Sequence, residues 1–292
     1  MQNPRLFDRS AFRAQRGFTL AEMIIVIVIL GILAAASAVF IRGPVDAYFD
    51  TARRALLSDT ADTAMRRIGR DLRAALPNSV RVAGACNGSG TCYLEYIPVV
   101  AGGRYRAELN NAGGGDPLDF GNNGDTSFDI IGPGIPIPAA GTTWVAIYNL
   151  GIPGADAYSG AAGASDVRRQ YNGAVGTVTS ISFVSANAFP FESPARRFQM
   201  VTTPVTYACL PAVSGGSLLR YENYDFLAAQ AQPPTTGGVT SAVLAGDVTA
   251  CSFTYSAQQV AQRAGLVSMT LQITQEAEPV NLFYQVHVSN VP

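Results

Sequence analysis

The most hydrophobic part of the chain is residues 18–41, near the N-terminus, where Glu22 is the only ionisable side chain. A helix over these residues is about 36 Å long, at about 1.5 Å per residue, and can therefore cross a bilayer. We predict a hydrophobic transmembrane helix over residues 18–42. The carboxylate near its start needs a partner, because an unpaired charge is costly in hydrocarbon.

After this stretch, apolar or small residues recur every three to four positions, which is typical of one face of a helix. These positions are Val45, Tyr48, Ala52, Leu56, Ala61, Ala64, Met65, Ile68, Leu72 and Leu76. The spacing predicts an amphipathic continuation of the helix over residues 43–77, ended by Pro77. At Gly43 and Pro44 we expect an interruption and a kink, because proline lacks a backbone donor and crowds the preceding turn.

From residue 78 the pattern changes to short alternating runs separated by glycine and proline, which is typical of β-strands. The predicted strands are 79–82, 93–100, 104–109, 127–131, 144–149, 175–184, 198–209, 218–224, 251–255, 266–274 and 281–288. The glycine-rich stretch 112–126 and the proline-rich stretch 230–238 predict surface loops. Residues 78–292 are therefore expected to form a β-rich head.

The strand predicted over residues 266–274 shows the alternation clearly. Its apolar side chains are Val267, Met269, Leu271 and Ile273. One buried and one polar face are typical of an antiparallel sheet that covers a core. The predicted fold class is α+β, with a long N-terminal helix packed on an antiparallel β-rich globular head.

Charge gives the first helix an orientation. Residues 1–17 contain arginines at positions 5, 9, 13 and 16 against one acid, Asp8, and so carry a net charge of +3. Basic residues beside a first membrane span stay cytoplasmic, so we predict a cytoplasmic leader and an exported head. The whole chain has a net charge of −1, which becomes −4 without the leader. Because the chain has no strong net positive charge to attract a polyanion, no nucleic-acid partner is predicted.

The composition argues against an enzyme. The sequence has no lysine, which excludes P-loop and Schiff-base lysines, and it has neither a G-x-S-x-G nor a G-x-G-x-x-G motif. The single histidine, His287, alternates with valines, as a surface imidazole on a strand would. Carboxylates for glycoside cleavage stay open, because Glu192, Glu222, Asp225, Glu276 and Glu278 are scattered through the head. We predict no catalytic residue and no cofactor.

The four cysteines are an even number in a part of the chain that is predicted to be exported. This predicts two disulfides. Cys86 and Cys92 enclose a turn-rich segment between two strands and are expected to pair, which leaves Cys209 and Cys251 as the second pair by default. Zinc is disfavoured, because short C-x2-C spacing is absent.

Two groups of polar residues, in the loop 112–126 and on the second half of the helix, could be functional but are also explained by exposure to solvent. Asp116, Asp119 and Asp125 could ligate calcium, but the EF-hand pattern is absent, and a plain polar loop is favoured. The polar face of the second half of the helix carries arginines interleaved with aspartates. These are Arg53, Arg54, Arg66, Arg67, Arg70 and Arg73, with Asp59, Asp62 and Asp71. We favour a solvated face with pairs such as Asp62 with Arg66 and Arg67 with Asp71 over a nucleic-acid surface.

The N-terminal segment resembles the processing signal of type IV prepilins and type II secretion pseudopilins. The resemblance is carried by Gly17, Phe18, Thr19, Leu20 and Glu22, followed by the apolar run. It implies that an inner-membrane prepilin peptidase and methyltransferase cuts after Gly17 and methylates Phe18. It also implies that Glu22 pairs with the new amino terminus of a neighbouring subunit and so sets the stagger between subunits.

Residues 70–82 and 283–292 are further similar to MshO-type minor pilins, from the biogenesis machinery of mannose-sensitive haemagglutinin (MSHA) pili. This implies a low-copy pilus subunit, incorporated in a complex that primes assembly at the tip. Its partners would be other pilins and the inner-membrane assembly platform. The subunit would sit in the inner membrane with a periplasmic head, and on the cell surface after assembly. A minor pseudopilin of type II secretion is the alternative.

Two plainer interpretations of the N-terminal segment stay open. Thr19 and Glu22 have the spacing of a capping box, which would satisfy donors of their own helix only. Residues 36–38, Ala-Ser-Ala, have the form of a signal-peptidase site, which would release a secreted adhesin that begins at Val39.

Overall fold

The computed structural model describes residues 17–138, 142–160, 167–184, 187–260 and 264–292. Within these ranges it has one α-helix, α1 (Leu20–Arg73), and sixteen strands. The strands are β1 (Arg81–Gly84), β2 (Cys92–Tyr96), β3 (Val99–Arg104), β4 (Ser127–Asp129), β5 (Ile135–Ile137), β6 (Trp144–Ala146), β7 (Arg168–Gln170), β8 (Gly176–Val178), β9 (Ser180–Ser182), β10 (Arg197–Val201), β11 (Val205–Leu210), β12 (Ser217–Glu222), β13 (Thr240–Gly246), β14 (Val248–Val260), β15 (Ala264–Gln275) and β16 (Glu278–Ser289). The predicted α+β class is confirmed.

The chain divides into two compact units, residues 1–53 and residues 54–292. The smaller unit holds the apolar part of α1, while the predicted leader lies almost wholly outside the described residues. The larger unit holds the end of α1 and all the strands.

All strand pairs are antiparallel. The first sheet has the order β1-β2-β11-β12-β13, the second β3-β10-β6-β7 and the third β14-β15-β16. Two short pairs, β4-β9 and β5-β8, complete the larger unit. The antiparallel head predicted from the alternating runs is therefore present.

The helix continues through Gly43 and Pro44, so these residues do not interrupt it. Proline removes a single backbone hydrogen bond, and the turns on either side keep theirs. The bend expected there stays a prediction.

The helix ends at Arg73, and the predicted end at residue 77 is wrong. The backbone N–H of Leu76 donates to the carbonyl of Ile97 at 2.8 Å, and Val99 donates to the carbonyl of Ala74 at 2.8 Å. Backbone pairing of residues 74–76 with residues 97–99, at the junction of β2 and β3, thus replaces the last helical turn. Pro77 also disfavours a helical conformation for Leu76, the residue before it.

The main core lies between the end of α1 and the first and third sheets. The helix contributes Leu57, Ala61, Ala64, Met65, Ile68 and Leu72. From residue 61 the predicted apolar face is confirmed, whereas Val45, Tyr48 and Leu56 are exposed. The alternation predicted for residues 266–274 is also confirmed, because the four apolar side chains of β15 are buried in this core.

Several strand predictions need correction. In the predicted strand 104–109, Arg104 is the last residue of β3 and Tyr105 forms a single bridge with Ile130, while residues 106–109 are not in a strand. The stretches 93–100, 175–184 and 198–209 each contain two strands, because their two halves pair with different partners. Three strands were missed, namely β5, β7 and β13. The predicted loops 112–126 and 230–238 contain no strand in the structure.

Candidate functional site

The helix begins at Leu20, directly after a reciprocal pair of hydrogen bonds between Thr19 and Glu22. Oε2 of Glu22 accepts hydrogen bonds from the backbone N–H of Thr19 at 2.9 Å and from its hydroxyl at 3.0 Å. The backbone N–H of Glu22 donates to the Thr19 hydroxyl oxygen at 3.3 Å. This is a capping box, so the local interpretation of these two residues describes their geometry correctly.

The second oxygen of the same carboxylate, Oε1, accepts no hydrogen bond within the described residues. Glu22 is exposed, as are the apolar side chains around it. The carboxylate is therefore oriented by its own helix and keeps one oxygen for a further donor.

The apolar stretch of α1 is not covered by any part of the protein that the structure describes. Phe18 is 83% exposed, and the large apolar side chains that follow it are exposed too. They include Leu20, Met23, Ile24, Ile25, Val26, Ile27, Val28, Ile29, Leu30, Ile32 and Leu33. By length and composition this helix could cross a membrane. An uncovered apolar surface of this size indicates a partner, either lipid or other helices.

Neither the packing nor the backbone conformation at position 17 requires a glycine. A Cβ atom added there would have no neighbour within 4 Å, and no unusual backbone angle requires a glycine. The residue before Phe18 therefore has no structural reason to be glycine in this chain. Residues 36–38, where a signal peptidase would cut, lie inside α1.

The four cysteines form two disulfides, Cys86 with Cys92 and Cys209 with Cys251. Both predicted pairs are confirmed, the first expected from its turn-rich segment and the second by default. Cys92 and Cys209 are direct partners on the adjacent strands β2 and β11, so the two bonds lie side by side in the core. No thiolate remains to bind zinc, since the described residues include no free cysteine.

The three aspartates considered as calcium ligands accept hydrogen bonds from donors of their own loop. Asp116 accepts a hydrogen bond from the Ser127 hydroxyl at 2.6 Å, and Asp125 accepts one from the backbone N–H of Asp119 at 2.7 Å. Asp119 accepts one from the backbone of Gly121 at 2.8 Å. Within the described ranges, no three metal-binding side chains come together.

The polar face of α1 is largely solvated. The pair of Asp62 with Arg66 is confirmed, with 2.6 Å between the carboxylate and Nε. The pair of Arg67 with Asp71 is wrong, because Asp71 instead accepts a hydrogen bond from the Tyr207 hydroxyl at 2.5 Å. His287 is exposed, as predicted.

A buried ion pair in the head gave no signal in the sequence pattern. Glu95 is 1% exposed, and its carboxylate accepts hydrogen bonds from Arg81 Nε at 2.5 Å and from the Tyr224 hydroxyl at 2.8 Å. The guanidinium of Arg81 also donates to the carbonyls of Leu227 and Ala228. Burial raises the pKa of Glu95, although both donors act against this shift.

A comparison with protein families matches residues 12–38 to a model described as "Prokaryotic N-terminal methylation motif". The match covers the capping box, the Gly17–Phe18 bond and most of the uncovered apolar stretch. No curated protein and no solved structure gives a significant match. The comparison therefore bears on the N-terminal segment alone.

Proposed function

We propose that this type IV pilin-like chain is a minor subunit of a type IV pilus of the MSHA type, assembled through α1. In this proposal the chain is cut after Gly17, methylated at Phe18 and drawn from the inner membrane into a filament. The observation that carries it is the uncovered apolar stretch with a single acid, placed directly behind a methylation motif. Proteins of the family that this motif defines are structural rather than catalytic.

The geometry supports a role for Glu22 in alignment. Removal of residues 1–17 leaves Phe18 and Thr19 in place, so the capping box survives processing. The new amine of a neighbouring subunit can then approach the free Oε1 of Glu22 while Oε2 stays bonded to Thr19. A charge pair between subunits in apolar surroundings fixes register, since a misplaced subunit would leave both charges unpaired.

The proposed domain plan follows from this assembly. Residues 1–17 would be the cytoplasmic leader, residues 18–42 the membrane and assembly helix, and residues 43–77 the segment that joins it to the head. Residues 78–292 would be periplasmic before assembly and at the cell surface afterwards. The uncovered helix fits a membrane anchor that packs against other pilins.

Three variants test the proposal by separating charge from capping. Glu22→Val and Glu22→Gln should both insert into the membrane but enter filaments about tenfold less or worse, because each removes the charge. Glutamine still completes a capping box, whereas Thr19→Val removes the hydroxyl and keeps the charge. Thr19→Val should therefore assemble nearly as well as wild type. Immunoblots of membrane and sheared-filament fractions give the measurement.

The opposite ranking would reject the alignment role. If Glu22→Gln assembles like wild type and Thr19→Val does not, the capping box accounts for both residues.

The alternative function, a minor pseudopilin of type II secretion, has a separate test. Deletion of the gene should abolish surface pili, whereas a secretion subunit would instead be needed for export of folded enzymes.

A further inference from the structure

The last strand of the chain has one unpaired edge. β16 pairs with β15 over its whole length and has no second partner within the described residues. The backbone groups of an edge strand that point away from its partner can pair with another chain. After Glu278 and Pro279, β16 contains no acidic or basic residue apart from His287. The edge therefore lacks the charges that commonly protect such strands.

Two contacts show that this strand runs beside α1. The Arg54 guanidinium lies 2.6 Å from the carboxylate of Glu278, at the start of β16. Further along, the ring of Tyr284 lies so close to Gly69 that an added Cβ would sit 2.6 Å from it. These two contacts are about 22 Å apart along the helix and about 20 Å apart along the strand. Helix and strand therefore run side by side in the same direction.

The helix presents arginines along this groove. Arg66, Arg67, Arg70 and Arg73 line a cavity of about 530 Å³ together with Thr63 and Tyr284. Arg66 is paired with Asp62, but Arg67, Arg70 and Arg73 form no ion pair within the part of the chain that the structure describes. The cavity therefore has a basic wall on the helix side and Tyr284 of β16 on the strand side, and β16 is the strand whose outer edge has no partner within the described residues.

We propose that the outer edge of β16 and this arginine wall together bind an extended acidic segment of a neighbouring subunit. The segment adds a strand to the third sheet, and its alternate side chains place carboxylates against the arginines. The inference rests on the proposed function, because neighbouring subunits meet in a filament.

The open strand edge decides which kind of anion fits. It presents alternating N–H donors and C=O acceptors, which a polypeptide backbone matches. A DNA backbone supplies phosphate acceptors but no donors for the strand carbonyls. Charge complementarity selects an acidic segment, and the strand edge selects an extended peptide.

The test uses the processed full-length chain in non-ionic detergent and a fluorescent peptide of alternating glutamate and valine. Anisotropy should show saturable binding that weakens about fivefold in Arg67→Gln/Arg70→Gln. The exposed arginines Arg104 and Arg197, on β3 and β10, provide a matched control, and Arg104→Gln/Arg197→Gln should bind like wild type. A peptide with lysine in place of glutamate should not bind.

Hydrogen exchange separates strand addition from charge attraction alone. The acidic peptide should protect amides of β16 but not those of β13, which is also an edge strand with one partner among the described residues. Unchanged binding by the Arg67→Gln/Arg70→Gln variant, or the absence of protection in β16, would overturn the proposal. Displacement of the peptide by short duplex DNA at lower concentration would favour nucleic acid instead. These measurements do not involve filament entry, so their failure is distinguishable from failure of the Glu22 test.

Discussion

Replacing Arg81 by methionine should lower the free energy of unfolding of the larger unit by about 3 to 5 kcal/mol. Within the described ranges, the change leaves the buried carboxylate of Glu95 with the Tyr224 hydroxyl as its remaining donor. It also removes the hydrogen bonds to the carbonyls of Leu227 and Ala228 and the stacking of the guanidinium 3.7 Å from the centre of the Tyr158 ring. Urea unfolding followed by fluorescence of the buried Trp144, the single tryptophan, gives the measurement.

Two controls assign this loss to an uncompensated buried charge. Arg66→Met removes an exposed ion pair with a similar distance and should cost less than about 1 kcal/mol. Adding Glu95→Gln to Arg81→Met should recover part of the lost stability, because it removes the unpaired charge. If the double variant is less stable than the single one, the charge is not the cause.

The same pair predicts a dependence on pH. Because burial raises the pKa of Glu95, the folded chain binds this proton more strongly than the unfolded chain does. The stability linked to this proton is fully present below the unfolded pKa and is lost as the pH rises through the folded pKa. Arg81 lowers the pKa of Glu95, so its removal raises this pKa further in the folded variant. The variant therefore loses more stability than the wild type as the pH rises, and the cost of Arg81→Met should be smaller near pH 4 than near pH 7.

Removing the disulfide between Cys209 and Cys251 should cost about 4 kcal/mol, and removing that between Cys86 and Cys92 about 2 kcal/mol. The two bonds close loops of very different size, with sequence separations of 42 and 6. A longer loop gains more freedom in the unfolded chain when its bond is removed.

The paired alanine variants serve as controls for each other, since Cys92 and Cys209 are neighbours in one sheet and both are buried. Urea unfolding of Cys209→Ala/Cys251→Ala and Cys86→Ala/Cys92→Ala measures the difference. Equal losses would mean that local packing, rather than loop closure, determines the contribution of each bond.

The features that the sequence predicts well are those with local causes. The apolar run needs no tertiary information, and the spacing of Thr19 and Glu22 is sufficient for the capping box that starts α1. In β15, a strict alternation of period two is sufficient to identify the buried face, without reference to a partner strand.

The features that were missed have causes distant in sequence. Arg168 in β7 is fully buried, with its guanidinium 3.6 Å from the centre of the Phe226 ring, and burial lowers its pKa to about 10. No periodicity predicts a buried arginine, because arginine is normally a surface residue. Asp71 likewise bonds to Tyr207 instead of the helical neighbour that its spacing suggested. The backbone pairing with Ile97 and Val99 likewise ends α1 at Arg73, four residues before the predicted end at residue 77.

Mass spectrometry of the N-terminal peptide, from protein isolated from membranes and filaments, tests the central claim most directly. Processing after Gly17 predicts a chain that begins with N-methylated Phe18. A chain that keeps Met1, or one that begins at Val39, would contradict assembly through α1.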